Sequence, residues 1–282
     1  MPHPVIFDRR LLRARLARAG AIGPVTFLLD RVAGDMAERL SAVLRTFDIA
    51  ADLGTPTDAV RRAIAGRVGT IAAVVADEEA LPFRDASLDL VVSALALQFV
   101  NDLPGTLIQV RRALKPDGLF LAAMIGGDSL AELRDAFAQA EAEVEGGVSP
   151  RVAPFADLRD LGALLQRAGF ALPVTDVDRV TVRYASPLAL MHDLRRMGAG
   201  NALTERRRTP LRRSTLRRML EIYSERYADP DGRIRATFEI VWLSGWAPHE
   251  SQQKPLAPGS AKVRLADALQ THEISTGEKA ER

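Results

Sequence analysis

Phe47-Asp48-Ile49-Ala50-Ala51-Asp52-Leu53-Gly54-Thr55-Pro56-Thr57-Asp58 is an apolar run that breaks into a polar turn, the pattern of a buried strand delivering its chain to a helix. Downstream the pattern recurs. Apolar runs at Thr70–Ala76, Leu88–Leu95 and Leu119–Ile125 alternate with helical stretches, which predicts a parallel sheet joined by right-handed crossovers. Arg111-Arg112-Ala113-Leu114-Lys115-Pro116-Asp117-Gly118 reads as a helix end and a turn before the next strand. Helices are predicted near 129–145, closed by Gly146-Gly147, and 155–168, closed by Gly169. Upstream, residues 8–46 read as helix, with Leu11, Leu12, Leu16, Phe27, Leu28, Val32, Met36 and Leu40 at helical intervals.

The last third adds strands at Asp176–Tyr184 and Thr237–Trp246 around a basic, mostly helical stretch. The predicted organisation is a helical cap at 1–46, an α/β core at 47–186, a helical basic insertion at 187–228, a final strand within 229–249 and a mobile tail at 250–282.

Composition narrows the chemistry. With no Cys among 282 residues, thiolate metal sites, disulfides and cysteine nucleophiles are excluded. His3, His192, His249 and His272 are scattered, so no metal site is expected, nor the two-His-one-carboxylate set of a non-haem iron oxygenase. No apolar run is long enough for a membrane helix. A net charge of +2 argues against nucleic acid as a partner, and without an apolar signal core a cytoplasmic location is expected. Of 38 basic residues all but four are arginines. They cluster at Arg9, Arg10, Arg13, Arg15 and Arg18, and again from Arg206 to Arg218. Both clusters read as solvated helix faces, with an acidic protein or an anionic lipid surface, hence peripheral membrane contact, as the alternatives.

The residues most suited to a ligand lie at the strand ends. Asp52 and Gly54 open a turn at the carboxyl edge of the sheet, where a bare backbone lets a nucleotide approach. Pro56 removes a donor there, and Asp58 adds bulk and charge. Asp77 lies only 23 positions after Gly54, enough for one helix and one strand. Spacing alone makes Asp77 the acid that meets a ribose hydroxyl.

Four segments carry a family resemblance: Asp52-Leu53-Gly54, Ala76-Asp77-Glu78-Glu79-Ala80-Leu81-Pro82-Phe83, Leu88-Asp89-Leu90-Val91-Val92-Ser93 and Leu114-Lys115-Pro116-Asp117-Gly118. In this order they resemble a class I S-adenosylmethionine-dependent methyltransferase, a Rossmann-like α/β fold with a mostly parallel sheet. Further stretches are Gly126-Gly127-Asp128-Ser129-Leu130, Gly147-Val148-Ser149-Pro150, Arg167-Ala168-Gly169-Phe170 and Gly245-Trp246-Ala247-Pro248-His249-Glu250-Ser251-Gln252. These are similar to the respiratory complex I assembly-factor family, whose mitochondrial members resemble an arginine hydroxylase.

The resemblance implies S-adenosylmethionine as cofactor and a complex I subunit or assembly intermediate as partner. It places Asp52 and Gly54 at the cofactor turn, and Asp77 with Glu78 at the adenine. This motif is more specific than the spacing, so the strand that normally bears the ribose-binding acid is expected to be missing. Ser93 and Gln98 fall at the strand end where such domains work on substrate, Gln98-Phe99 replacing the His-Trp of relatives. A carboxyl methyltransferase of biotin synthesis shares the domain motifs but not the carboxyl-terminal ones. The competing expectation, motivated by Pro56, Asp58 and Gln98, is a non-catalytic assembly or binding factor with a degenerate cofactor loop.

Overall fold

The computed structural model describes residues 5–74, 77–253, 260 and 263–272. Its elements run α1 (Arg9–Ile22), α2 (Phe27–Ser41), β1 (Phe47–Leu53), α3 (Ala59–Ile64), β2 (Val68–Val74), β3 (Leu88–Ala94), α4 (Leu103–Ala113), β4 (Leu114–Ile125), α5 (Ala131–Glu145), α6 (Leu158–Arg167), β5 (Ala171–Tyr184), α7 (Pro187–Arg196), α8 (Arg213–Tyr227) and β6 (Ile234–Trp246). These belong to one compact unit, Met1–Pro248; a second, His249–Arg282, carries the short α9 (Leu265–Leu269). The rest of the expectation for the tail, at 254–259, 261–262 and 273–282, lies outside the described residues.

Six strands form one sheet in the order β2-β1-β3-β4-β6-β5. The first four are parallel, and β6 lies antiparallel between β4 and β5. Successive residues of the parallel strands point to opposite faces, and both faces are covered, which explains their continuous apolar runs. Ala50, Leu90 and Val92 meet Val32, Met36 and Leu40 of α2, while Ala51, Leu53 and Val91 meet Leu107 and Val110 of α4 and Leu161 and Leu165 of α6. The interval between Gly54 and Asp77 does hold a single strand. That strand, β2, pairs with β1 in register Phe47↔Val68 to Leu53↔Val74.

Three local departures from the sequence reading have backbone causes. The long helix at 8–46 is two helices, because Gly23 takes φ +90° and Pro24 follows it. The Pro-Asp-Gly turn sits inside β4: Leu88 faces Leu114 but Leu90 faces Leu119, and Asp117 takes φ +65° in the bulge. The basic stretch before the last strand is α7 and α8 joined by a non-helical connection at 197–212, in which Gly198 takes φ +73°. No helix among the described residues is long and apolar enough to cross a membrane.

Candidate functional site

A cavity of about 890 Å³ lies at the carboxyl ends of β1, β3 and β4, the edge where open α/β sheets bind ligands. Its floor includes Gly54, Pro56 and Thr57 after β1, Leu95, Ala96 and Gln98 after β3, and Ile125 after β4. The size falls within the ~300–1,000 Å³ of small-molecule sites. The roof is α1 with the 197–208 part of the connection.

The amino-terminal segment is fastened over this edge at both ends. Phe7 pairs with Leu203, the Asp8 amide donates to the Ala202 carbonyl (2.8 Å), and the Thr204 amide donates to the Ile6 carbonyl (2.8 Å). The Ile6 and Phe7 amides both donate to Asn101 Oδ1. At the far end the Arg196 Nε donates to the Gly23 carbonyl (2.8 Å). Asp8 caps α1 by accepting from the Leu11 amide.

Gly54 takes φ +70°, and a Cβ there would stand 2.6 Å from Glu78 Oε1 and 3.0 Å from the Ala96 Cβ. The Glu78 carboxylate therefore hangs directly over the bare turn. Arg9 holds it: the guanidinium pairs with Glu78, with Asp77 at 2.9 Å and with Glu79 at 3.7 Å. The backbone of the acidic loop is also tied to α4, since the Thr106 hydroxyl donates to the Glu78 carbonyl and Gln109 Nε2 to that of Glu79. Of the adjacent acids Glu78 lines the cavity, whereas Asp77 turns aside to Arg9 and Arg13. Both follow β2, the neighbour of β1, which is the topological position of a ribose-binding acid in a doubly wound sheet.

Asp52 does not reach the cavity. Its side chain is fully buried and its Oδ2 accepts from Arg61 Nη1 at 2.8 Å, while Oδ1 has no hydrogen-bond partner among the described residues. Burial pushes the carboxyl up, outweighing the Thr55 hydroxyl and Arg61. The turn beneath Gly54 is thus held from below. Asp58 also stays outside the lining and pairs with Arg62 at 3.5 Å, so the charge expected to face a ligand points elsewhere.

Ser93 is buried in the sheet, where its hydroxyl donates to the Leu53 carbonyl (2.7 Å) and ties β3 to β1. Gln98 lines the cavity; its Nε2 donates to the Leu95 carbonyl (2.7 Å), and its buried Oε1 has no partner among the described residues. An unsatisfied buried acceptor on a cavity wall is suited to a donor on a ligand. No three His, Asp or Glu side chains among the described residues come together as metal ligands.

Sequence reasoning missed the contribution of α1. Arg9, Arg15 and Arg18 line the same cavity as Arg206, Arg207 and Arg208, so these parts of the two clusters converge. The clusters themselves were the available signal; their meeting depends on the Phe7–Leu203 pairing.

Arg9→Ala is expected to release the acidic loop. Amide hydrogen exchange at Glu79 and Ala80 should quicken at least ~10-fold, the equivalent of about 1.4 kcal/mol of lost local protection. Unchanged exchange at these amides contradicts the clamp.

The parallel core with an antiparallel strand inserted between its last two members defines a class I methyltransferase fold. A solved methyltransferase candidate from Bacillus halodurans C-125 shares this fold at TM-score 0.51 and 14% identity, over 76% of this chain and 98% of that one. The Methyltransferase domain family matches residues 33–122. The mitochondrial arginine-hydroxylase NDUFAF5 of Danio rerio is 38% identical over 93% of this chain and 89% of its own length; for the Homo sapiens protein the values are 38%, 93% and 83%. The chain belongs to the NDUFAF5 family of methyltransferase-like proteins. A malonyl-[acyl-carrier protein] O-methyltransferase of Halorhodospira halophila is 35% identical over 92% of this chain and 94% of its own length. That likeness extends well beyond the domain motifs to which the sequence reading confined it.

Proposed function

We propose that the chain is an S-adenosylmethionine-dependent methyltransferase-like protein acting in respiratory complex I assembly, with the nucleotide held between Gly54 and Glu78. The observation that carries this reading is the Glu78 carboxylate standing over the bare Gly54 turn. A carboxylate beside a side-chain-free turn, after the strand next to β1, suits the two hydroxyls of a ribose. The residues present therefore fit an adenosine, with Leu95, Ala96 and Phe99 as apolar wall.

The cofactor supplies an already activated methyl group, so the protein's share is alignment and exclusion of water. Arg9 fixes the Glu78 carboxylate, Asp52 and Arg61 brace the turn, and the free Gln98 Oε1 orients a donor on cofactor or acceptor. By family the acceptor is an arginine of a complex I subunit or assembly intermediate. The same reading places the protein in the cytoplasm, with peripheral membrane contact through its arginine-rich faces.

A second reading, a non-catalytic assembly factor, is favoured by one feature. Asp52 is paired with Arg61 and Glu78 with Arg9, so both carboxylates beside the turn have a counter-charge without a ligand. Calorimetric titration with S-adenosylmethionine separates the two. Saturable binding is expected, and Gly54→Ala, which forces a Cβ against Glu78 at positive φ, should abolish it while costing about 1–3 kcal/mol of stability. No heat with folded wild-type protein at millimolar ligand leaves only the assembly-factor reading.

A further inference from the structure

The charges around the cavity are one-sided. Nine arginines line it, and the carboxylate of Glu78 is the one acid among the described lining residues. Arg9, Arg151, Arg206 and Arg207 spend their charge on Glu78, Glu141, Asp8 and Glu145 respectively. Arg15, Arg18, Arg195 and Arg208 form no ion pair among the described residues.

Arg15 is the most constrained of them. Its Nη1 is buried without a hydrogen-bond partner among the described residues, and the guanidinium lies against Gly200, where a Cβ would be 3.1 Å from Nη1. Burial lowers its pKa, and the like charges of Arg206 and Arg18 lower it further against the single pull of Asp8. A partly buried guanidinium with an unpaired buried Nη1 among other cations is poorly served by the protein alone and well served by an incoming anion.

The wall beside these arginines is apolar. Leu12 and Leu16 flank Arg15 on the inner face of α1, and Leu133, Phe137 and Leu194 line the cavity from α5 and α7. Head and tail requirements thus meet in one chamber.

We propose that the part of the cavity beneath α1 and the 197–208 connection binds a small anion with an apolar tail, a carboxylate or phosphate on an acyl-type chain. Arg15 is the central head-group ligand, with Arg18 and Arg208 adding long-range attraction, and Leu12 and Leu16 cover the chain. A guanidinium repeats the charge of this chamber and is excluded from it; an arginine acceptor would approach from the Glu78 side. This site does not depend on the cofactor reading, because it needs neither Gly54 nor Glu78.

Full-length protein titrated calorimetrically with decanoate, decyl phosphate, acetate, decanol and decyltrimethylammonium tests it. Decanoate and decyl phosphate are expected to bind at least ~10-fold more tightly than the other three. The tighter of the two identifies the head group as a carboxylate or a phosphate. Arg15→Gln should weaken binding at least ~10-fold, whereas Arg15→Lys, which keeps the charge, should retain part of it. Circular dichroism on both variants separates lost binding from lost folding; if Arg15→Gln does not fold, Arg208→Gln replaces it. Equal binding of decanoate and decyltrimethylammonium, no binding of either anion, or decanoate affinity unchanged in a folded Arg15→Gln or Arg208→Gln protein overturns the proposal.

Discussion

Arg61→Ala is expected to destabilise the protein by about 3 kcal/mol, because it strands a buried carboxylate. Asp52 is fully buried and Arg61, 30% exposed, is the cation bound to it. The exposure of Arg61 lets water reach the gap, which places the loss at the lower end for a broken buried pair. Urea unfolding at neutral pH measures it. Asp52→Asn in the same background should return most of the lost stability, since an amide needs no counter-charge; a single-variant loss under about 1 kcal/mol, as for a surface pair, contradicts the account.

The pH dependence has a definite sign. The folded Asp52 value lies above the unfolded 3.8, so above that pH the native state retains a proton that the unfolded chain has given up. Stability from this group therefore falls as pH rises through the window above 3.8. Removing Arg61 raises the folded value further, so the variant should regain stability relative to wild type on mild acidification.

Glu141→Leu carries the second large effect, again about 3–5 kcal/mol. The Glu141 side chain is fully buried in α5 and accepts from the Ser149 amide (2.6 Å), the Ser149 hydroxyl (2.7 Å) and Arg151 Nε (2.7 Å). Leucine would leave Arg151, 16% exposed, without its partner. Burial pushes the Glu141 carboxyl up, but Ser149 and Arg151 together hold it below the ordinary 4.5. Here the sign is opposite to that of Asp52. The contribution is present above 4.5 and is lost as pH falls through the lower folded value. Wild type should thus lose this part of its stability in acid, and Glu141→Leu should not. Urea unfolding of wild type and variant across pH checks the slope; identical slopes contradict it.

The strand ends of the site were legible because their chemistry is local. An apolar run breaking at Gly54 and the Asp-x-x-x-Leu-Pro-Phe segment each declare a strand and the turn after it. The 23-position step from Gly54 to Asp77 limits the interval to one strand, and β2 is that strand. What remained hidden is tertiary. Glu78 and Asp77 are adjacent acids, and Arg9, 69 residues from Glu78, pairs with both although only Glu78 lines the cavity. Asp58 looked like a charge aimed at a ligand because turn composition does not reveal that Arg62 draws it away. Both arginine clusters looked solvated because helical periodicity locates a face without saying what covers it. Phe7 pairing with Leu203 brings α1 over the carboxyl edge, a contact between residues with no periodic signature.

A crystal structure with S-adenosylhomocysteine bound shows whether the carboxyl-edge cavity is the nucleotide site. The adenosine is expected over Gly54, with its ribose hydroxyls on the Glu78 carboxylate and Arg9 still paired to the acidic loop. A nucleotide bound elsewhere, or Gly54 and Glu78 unchanged and bare at saturating ligand, would contradict it.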